Sequence, residues 1–124
     1  LVLLINKIDK IMLLLIANEL KAKEAISFED GEELFQLMSS SIKSKVYTDV
    51  DFSEITFSTS PFLYAAFGQL HEAFATDVIN KYIHIININD GTKLIYDEVL
   101  SKSRDYGSDP EFFTQTANSI IYGI

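Results

Sequence analysis

One α/β domain, a mixed β-sheet with about four helices packed on it, is the fold this chain predicts, because short apolar runs alternate with amphipathic stretches. Three observations carry the prediction. Residues 11–18 are a short apolar run without polar alternation, the pattern of a strand buried on both faces. Leu63, Phe67, Leu70 and Phe74 recur at spacings of four, three and four, which puts them on one face of a helix. Residues 82–87 set Ile83 and Ile85 against His84 and Ile86, so both sides of a third strand are largely apolar.

The N-terminus is apolar but broken by Lys7, Asp9 and Lys10. Its longest unbroken run, residues 11–17, falls far short of the roughly 20 residues that span a bilayer. No basic segment precedes it and no small-residue cleavage site follows, so neither a membrane anchor nor a secretory signal is expected. Residues 1–11 are set apart as an extension, a fragment edge or sequence upstream of a start at Met12. The domain is assigned to residues 12–124.

After the first strand and the charged residues 19–24, Ser27 and Asp30 have the spacing of a capping box. Glu29, Asp30, Glu32 and Glu33 then put negative charge where the helix dipole favours it. Leu34, Met38 and Ile42 form the buried stripe, widened by Phe35, and serines 39–41 predict the helix exit. The second strand is residues 46–52, with Val46, Thr48, Val50 and Phe52 on one face and Tyr47, Asp49 and Asp51 on the other. Residues 55–57 continue as a short extended piece. Ser60 before Pro61 reads as an N-cap followed by a first-turn proline, starting a helix over 61–78. Gly68 inside it costs roughly 1 kcal/mol against alanine, which predicts close approach of another backbone. Past the strand at 82–87, Asp90 is the expected cap of a helix running to about Arg104, stopped by Gly107. Asp109 and Pro110 repeat the cap-and-proline device for a last helix carrying Phe113, Ala117 and Ile120 on one face. The order is β-α-β-α-β-α-α.

Composition narrows the function. At 124 residues and 48% hydrophobic, the chain is one core-forming domain. Its net charge of −8 argues against nucleic acid and anionic membranes, and leaves a cationic protein surface as a suitable partner. With no cysteine, disulfides, zinc-thiolate sites and thiol catalysis are excluded, and a reducing cytoplasm fits.

Candidate chemistry is sparse. Asp49, Asp51 and Glu54 are clustered carboxylates without a third ligand at suitable spacing, and His71 and His84 lack a metal-binding or catalytic motif. No metal or other cofactor is expected. A Gly-x-Ser-x-Gly elbow and phosphate-binding glycine loops are absent, so no enzymatic activity is expected. The helix start at Ser58, Thr59 and Ser60 is the strongest candidate, because free N–H groups and the positive dipole end would favour a phosphate or another anion.

Three blocks resemble a family: Ile26-Ser27-Phe28-Glu29-Asp30-Gly31-Glu32-Glu33-Leu34, Val50-Asp51-Phe52-Ser53-Glu54-Ile55, and Ser60-Pro61-Phe62-Leu63 leading to Ala65-Ala66-Phe67-Gly68-Gln69-Leu70. Their order and spacing resemble the STAS-like domain of unknown function of small prokaryotic proteins, a relative of the STAS fold of anti-sigma factor antagonists, over about residues 13–121. The resemblance implies a mixed sheet, no enzymatic activity, and a switchable protein–protein interaction with a histidine-kinase-like ATPase. The antagonists' Asp-Ser-Ser-Gly pattern falls here on Thr59, Ser60, Pro61 and Phe62, which puts proline where they carry the phosphorylated serine. Ser58, Thr59 and Ser60 are therefore candidate phospho-acceptors through helix-terminus chemistry and not through the motif. The expected contact surface is the 53–62 loop with the exposed face of helix 61–78, and Ser53, Glu54, Phe62, Tyr64, Gln69 and His71 are its candidate contacts. The alternative function is a sensor of an anion or nucleotide at the start of that helix. A homo-oligomer driven by residues 1–5 is a further possibility.

Overall fold

The computed structural model describes residues 11–105. Strands β1 (Ile11–Leu15), β3 (Tyr47–Asp51) and β5 (Ile83–Ile86) form a parallel sheet with β3 in the centre. Strands β2 (Glu24–Ala25) and β4 (Phe57–Ser58) pair separately as a short parallel ribbon. The α/β domain forms as expected, but every described strand pair is parallel, so the mixed sheet is not what these strands make.

Strand alternation sorts the larger sheet into two unequal faces. Leu14, Thr48, Val50 and Ile83 lie on the buried face. They join one core with Leu34, Met38 and Ile42 of helix α2 (Phe28–Lys43) and with Leu63, Phe67 and Leu70. The other face carries Ile11, Leu13, Tyr47, Asp49 and His84, and it is open: Ile11 is 67% and Leu13 62% exposed. Burial of the first and third strands on both sides is thus corrected to burial on one. Apolar composition alone does not reveal this, since Leu13 and Leu14 are the same residue type on opposite faces.

The first strand is also shorter than its apolar run. At Ile16 the chain turns into helix α1 (Ile16–Leu20), which buries Ile16 and Ala17 and leaves Asn18 and Glu19 exposed. Lys21, at φ 54°, closes this turn in the left-handed region. Helix α2 starts as predicted, with Ser27 Oγ accepting from the Asp30 N–H at 3.1 Å. It does not exit at the serines. Ser39 and Ser41 are buried within it, and Ser41 Oγ donates to the Leu37 carbonyl at 3.1 Å.

The predicted 61–78 helix is four helical pieces, with a break before the last. Helix α3 (Ser60–Leu63) runs into a π-helical turn (Tyr64–Gly68) and then α4 (Gln69–Ala73). Phe74 leaves helical geometry at φ −134°, ψ 149°, and α5 (Thr76–Tyr82) begins afresh after Ala75. All five residues of the π turn are buried, which one face of a regular α-helix does not achieve. Helix α6 (Asp90–Asp105) is capped one residue earlier than expected, by Asn89, whose Oδ1 accepts from the Thr92 N–H at 2.8 Å. The stop at Gly107, the helix from Pro110 with Phe113, Ala117 and Ile120, and residues 1–10 lie outside the described residues.

Candidate functional site

The carboxyl ends of β3 and β5 are held together by one carboxylate. Asp51, the last residue of β3, accepts three hydrogen bonds on Oδ1: from Ser53 Oγ at 2.6 Å, the Ser53 N–H at 2.8 Å and Asn87 Nδ2 at 3.0 Å. The bonds from Ser53 make an Asx turn, in which a side chain reaches its own backbone two residues on. Glu54 follows at φ 69° and the Ile55 N–H returns to the Phe52 carbonyl. A second tie runs from Asn89 Nδ2 to the Ile55 carbonyl at 3.2 Å. The loops after two adjacent strands are therefore tied to each other by two side-chain hydrogen bonds.

The Ser53 hydroxyl holds the Asp51 carboxyl below its ordinary pKa; burial opposes this, and the Ser53 N–H and Asn87 amide add to it. A lowered carboxylate stabilises the fold above its unfolded-state pKa and loses that contribution as pH falls through the folded value. Asp51→Ala is accordingly expected to cost about 1 kcal/mol at neutral pH, since it removes hydrogen bonds whose donors, the half-buried Ser53 and the exposed Asn87, can turn to water. In urea melts from pH 7 to pH 3 the gap between variant and parent should close toward the acid end; a gap independent of pH would refute the assignment.

The ribbon anchors the other end of the same loop. The Thr56 N–H donates to the Lys23 carbonyl and the Thr59 N–H to the Ala25 carbonyl. Ala25 and Ser58 face inward and are buried, whereas Ile26 and Phe57 are 49% and 51% exposed. The helix cap predicted at Ser60 belongs to Thr59, whose Oγ1 accepts from the Phe62 N–H at 3.3 Å and donates to the Ile26 carbonyl. Ser60 is the first helical residue instead. Extended geometry at Thr59, φ −97° and ψ 160°, is what the ribbon imposes, so pairing to Ala25 fixes the cap position. Thr59→Ala is expected to cost 1 to 2 kcal/mol, about that of a lost cap, and Ser60→Ala clearly less. Equal thermal midpoints for the two variants would return the cap to Ser60.

The six candidate contacts are not one surface. Phe62 and Tyr64 are buried core residues, so their expected exposure is corrected; they lie in the proline turn and the π turn, which α2 and α6 cover. Gln69 is partly buried and donates from Nε2 to the Ala65 carbonyl at 2.9 Å, and His71 is partly buried. Ser53 is tied to Asp51, and Glu54 is exposed. Of the three hydroxyl residues, Ser58 is 1% exposed, with no hydrogen-bond partner among the described residues. Thr59 is engaged as above, and Ser60 is partly exposed. Asp49 faces His84 across the strands at 3.5 Å, and among the described residues no cluster of three His, Asp or Glu is placed to hold a metal ion.

Gly68 is needed for side chains and not for a backbone. A Cβ there would lie 2.6 Å from the Tyr64 ring and 2.8 Å from Ser103 Oγ of α6. The Tyr64 ring thus runs along the helix over Gly68, and its hydroxyl donates to Glu72 at 3.5 Å. Glu72 is exposed as a residue, yet partial burial of its carboxyl pushes its pKa up to about 7, against the pull of the Tyr64 hydroxyl. A raised carboxyl stabilises the fold below its unfolded pKa and loses that as pH rises through about 7, so Glu72→Gln should flatten the decline in stability across that window. Solvent screening keeps the effect small.

Asn87, Asn89 and the Ile26–Phe57 pair were not singled out from sequence. A signal existed for Asn87, since an asparagine just past an apolar strand suits a left-handed turn, and its φ is 59°, and for Asn89, since asparagine is a favoured helix N-cap. The two-residue strands β2 and β4 leave no periodic trace.

A family model described as "STAS-like domain of unknown function (DUF4325)" matches residues 30–93, just over half of the chain. The chain belongs to this STAS-like family. No curated protein and no solved structure matches it. The STAS-like match runs from the first turn of α2 through β3, β4 and β5 to the first turn of α6, and so contains the whole Asp51–Ser53–Asn87 clamp. Strands β1 and β2 fall outside it.

Proposed function

We propose that this STAS-like domain is a non-enzymatic regulatory module that works by reversible binding to a protein partner, an ATPase of the histidine-kinase type, in a bacterial cytoplasmic signalling switch. The observation that carries the reading is the clamped loop: Asp51 and Asn89 fix its two sides while Phe57, Ile26 and Glu54 stand exposed. A loop ordered in advance loses little entropy on binding, and an exposed aromatic such as Phe57 suits the anchor of an interface. Two of the loop's hydroxyls have structural duties, Ser53 on Asp51 and Thr59 on the helix start. No helix among the described residues is long and apolar enough to cross a membrane.

Ser60 is the best placed phospho-acceptor of the three, being partly exposed at the helix start. The anion-sensor alternative has less support, because the Thr59 hydroxyl is already spent and Ser58 is sealed.

A tagged pull-down from bacterial lysate, with and without ATP, tests the reading when the intact mass of the bait is read alongside the captured proteins. The expected result is an ATPase partner that the parent chain retains and the Ile26→Ser, Phe57→Ser double variant releases. Added phosphate mass that Ser60→Ala abolishes would establish the switch. Retention of the same partner by the double variant would sink the loop as the contact surface.

A further inference from the structure

We infer that the outer face of the β2–β4 ribbon is the seat of an arginine side chain supplied by a protein partner, its guanidinium stacked on the Phe57 ring and paired with the Glu24 carboxylate. The inference rests on the reading of this loop as a contact surface and gives the chemistry of what the loop meets. Strand register carries it. Glu24 and Phe57 are register partners on parallel strands, so their side chains stand on one face about 5 Å apart at the backbone. Ala25 and Ser58 fill the inner face, which leaves Glu24, Ile26 and Phe57 on the outer one, all of them exposed.

A planar guanidinium suits this pair. It can stack on an aromatic ring while its N–H fork meets a carboxylate, whereas an ammonium is a compact point charge without that fork. Ile26, on the same side of β2, offers apolar surface to a neighbouring side chain of the partner, and exposed Glu29 and Glu54 add negative charge nearby. The place is open: among the described residues no base pairs with Glu24 and no cation lies on Phe57. The arginine must come from outside, because the chain's one arginine, Arg104, is on α6, and residues 1–10 and 106–124 contain none. A second copy would set its own Glu24, Glu29 and Glu54 against the same charges, with −8 facing −8.

Titration of the isotope-labelled full chain with synthetic peptides, followed by NMR, tests the inference. The probe is a short peptide alternating Arg with Leu, compared with its Lys/Leu and Glu/Leu counterparts. The Arg/Leu peptide should bind saturably, shift the Phe57 ring and Glu24, and weaken as salt rises; the Lys/Leu peptide should bind several-fold more weakly and the Glu/Leu peptide not at all. Glu24→Gln should weaken the Arg/Leu peptide about tenfold, and Glu98→Gln, the same charge change on α6, should not. Both residues are exposed, and an unchanged thermal midpoint checks that each variant keeps its fold. Equal binding of the Lys/Leu peptide, indifference to Glu24→Gln, shifts confined to other surfaces, or no saturable binding would overturn the inference. So would concentration-dependent shifts of Phe57 in the chain alone, which put a second copy on the face. If Ile26→Ser, Phe57→Ser releases the captured ATPase while Glu24→Gln leaves its capture unchanged, the arginine fails and the loop stands; if neither releases it, both fail.

Discussion

Phe67→Ala is expected to destabilise the domain by about 4 kcal/mol, the range for deleting a fully buried aromatic side chain. Phe67 is the residue on which three elements meet. Its ring stacks on Phe52, just past β3, at 5.9 Å between centroids and meets Tyr96 of α6 edge-on at 5.2 Å. Truncation leaves a cavity lined by rings that cannot close onto one another, because Phe52 is held at the strand end, where its N–H donates to the Ile86 carbonyl at 3.0 Å. A chemical-denaturation midpoint shifted by less than about 1 kcal/mol would mean that the site repacks and that Phe67 does not organise the core.

Gly31→Ala is the second large effect, at about 3 kcal/mol, the upper end for overpacking a core. A Cβ at residue 31 would lie 2.4 Å from the Phe62 carbonyl oxygen and 2.7 Å from Ala65 Cβ. Neither neighbour is the far end of a flexible side chain, so α2 would have to lift off α3 and the π turn. Added helix propensity, about 1 kcal/mol in favour of alanine, offsets only part of this. Gly91→Ala, in the first turn of α6, has only Asn89 Oδ1 near it at 3.6 Å and should be neutral or stabilising. If the two variants melt alike, the crossing at Gly31 is not tight.

Much of this fold was readable because apolar spacing reports which face a helix buries. The stripes Leu34–Met38–Ile42 and Leu63–Phe67–Leu70 both entered the core, and Ser27 capped where its spacing to Asp30 said it would. Where spacing gave no information, tertiary geometry decided. The cap passed from Ser60 to Thr59 because pairing with Ala25 holds Thr59 extended, and a contact 34 residues away in sequence has no local signature. The 61–78 helix read as continuous because a π turn keeps its apolar residues apolar; only the need to bury Tyr64 through Gly68 together distinguishes it. At the site, Ser53 and Glu54 lie in the loop after β3, but Asp51, which holds Ser53, is itself tied by Asn87 from across the sheet, a contact with no local signature. Phe62 read as a contact at the end of the 53–62 loop and Tyr64 on the outer face of the helix, but both are core, because the turns that carry them are buried all round.

The strand order of the sheet has a bearing on how the chain folds. Reading β1, β3, β5 from one edge to the other follows the order of synthesis, so each new strand finds a single waiting neighbour, already in place. Sequential edge-wise growth avoids threading a late strand between two early ones, which lowers the number of trapped intermediates even though each parallel pairing requires closing a long loop. In pulse-labelled amide exchange during refolding, protection should appear at β1 and β3 before β5. His84 and its neighbours would then be the last of the sheet to acquire it, and the Asn87 bond to Asp51 would mark the moment at which growth ends.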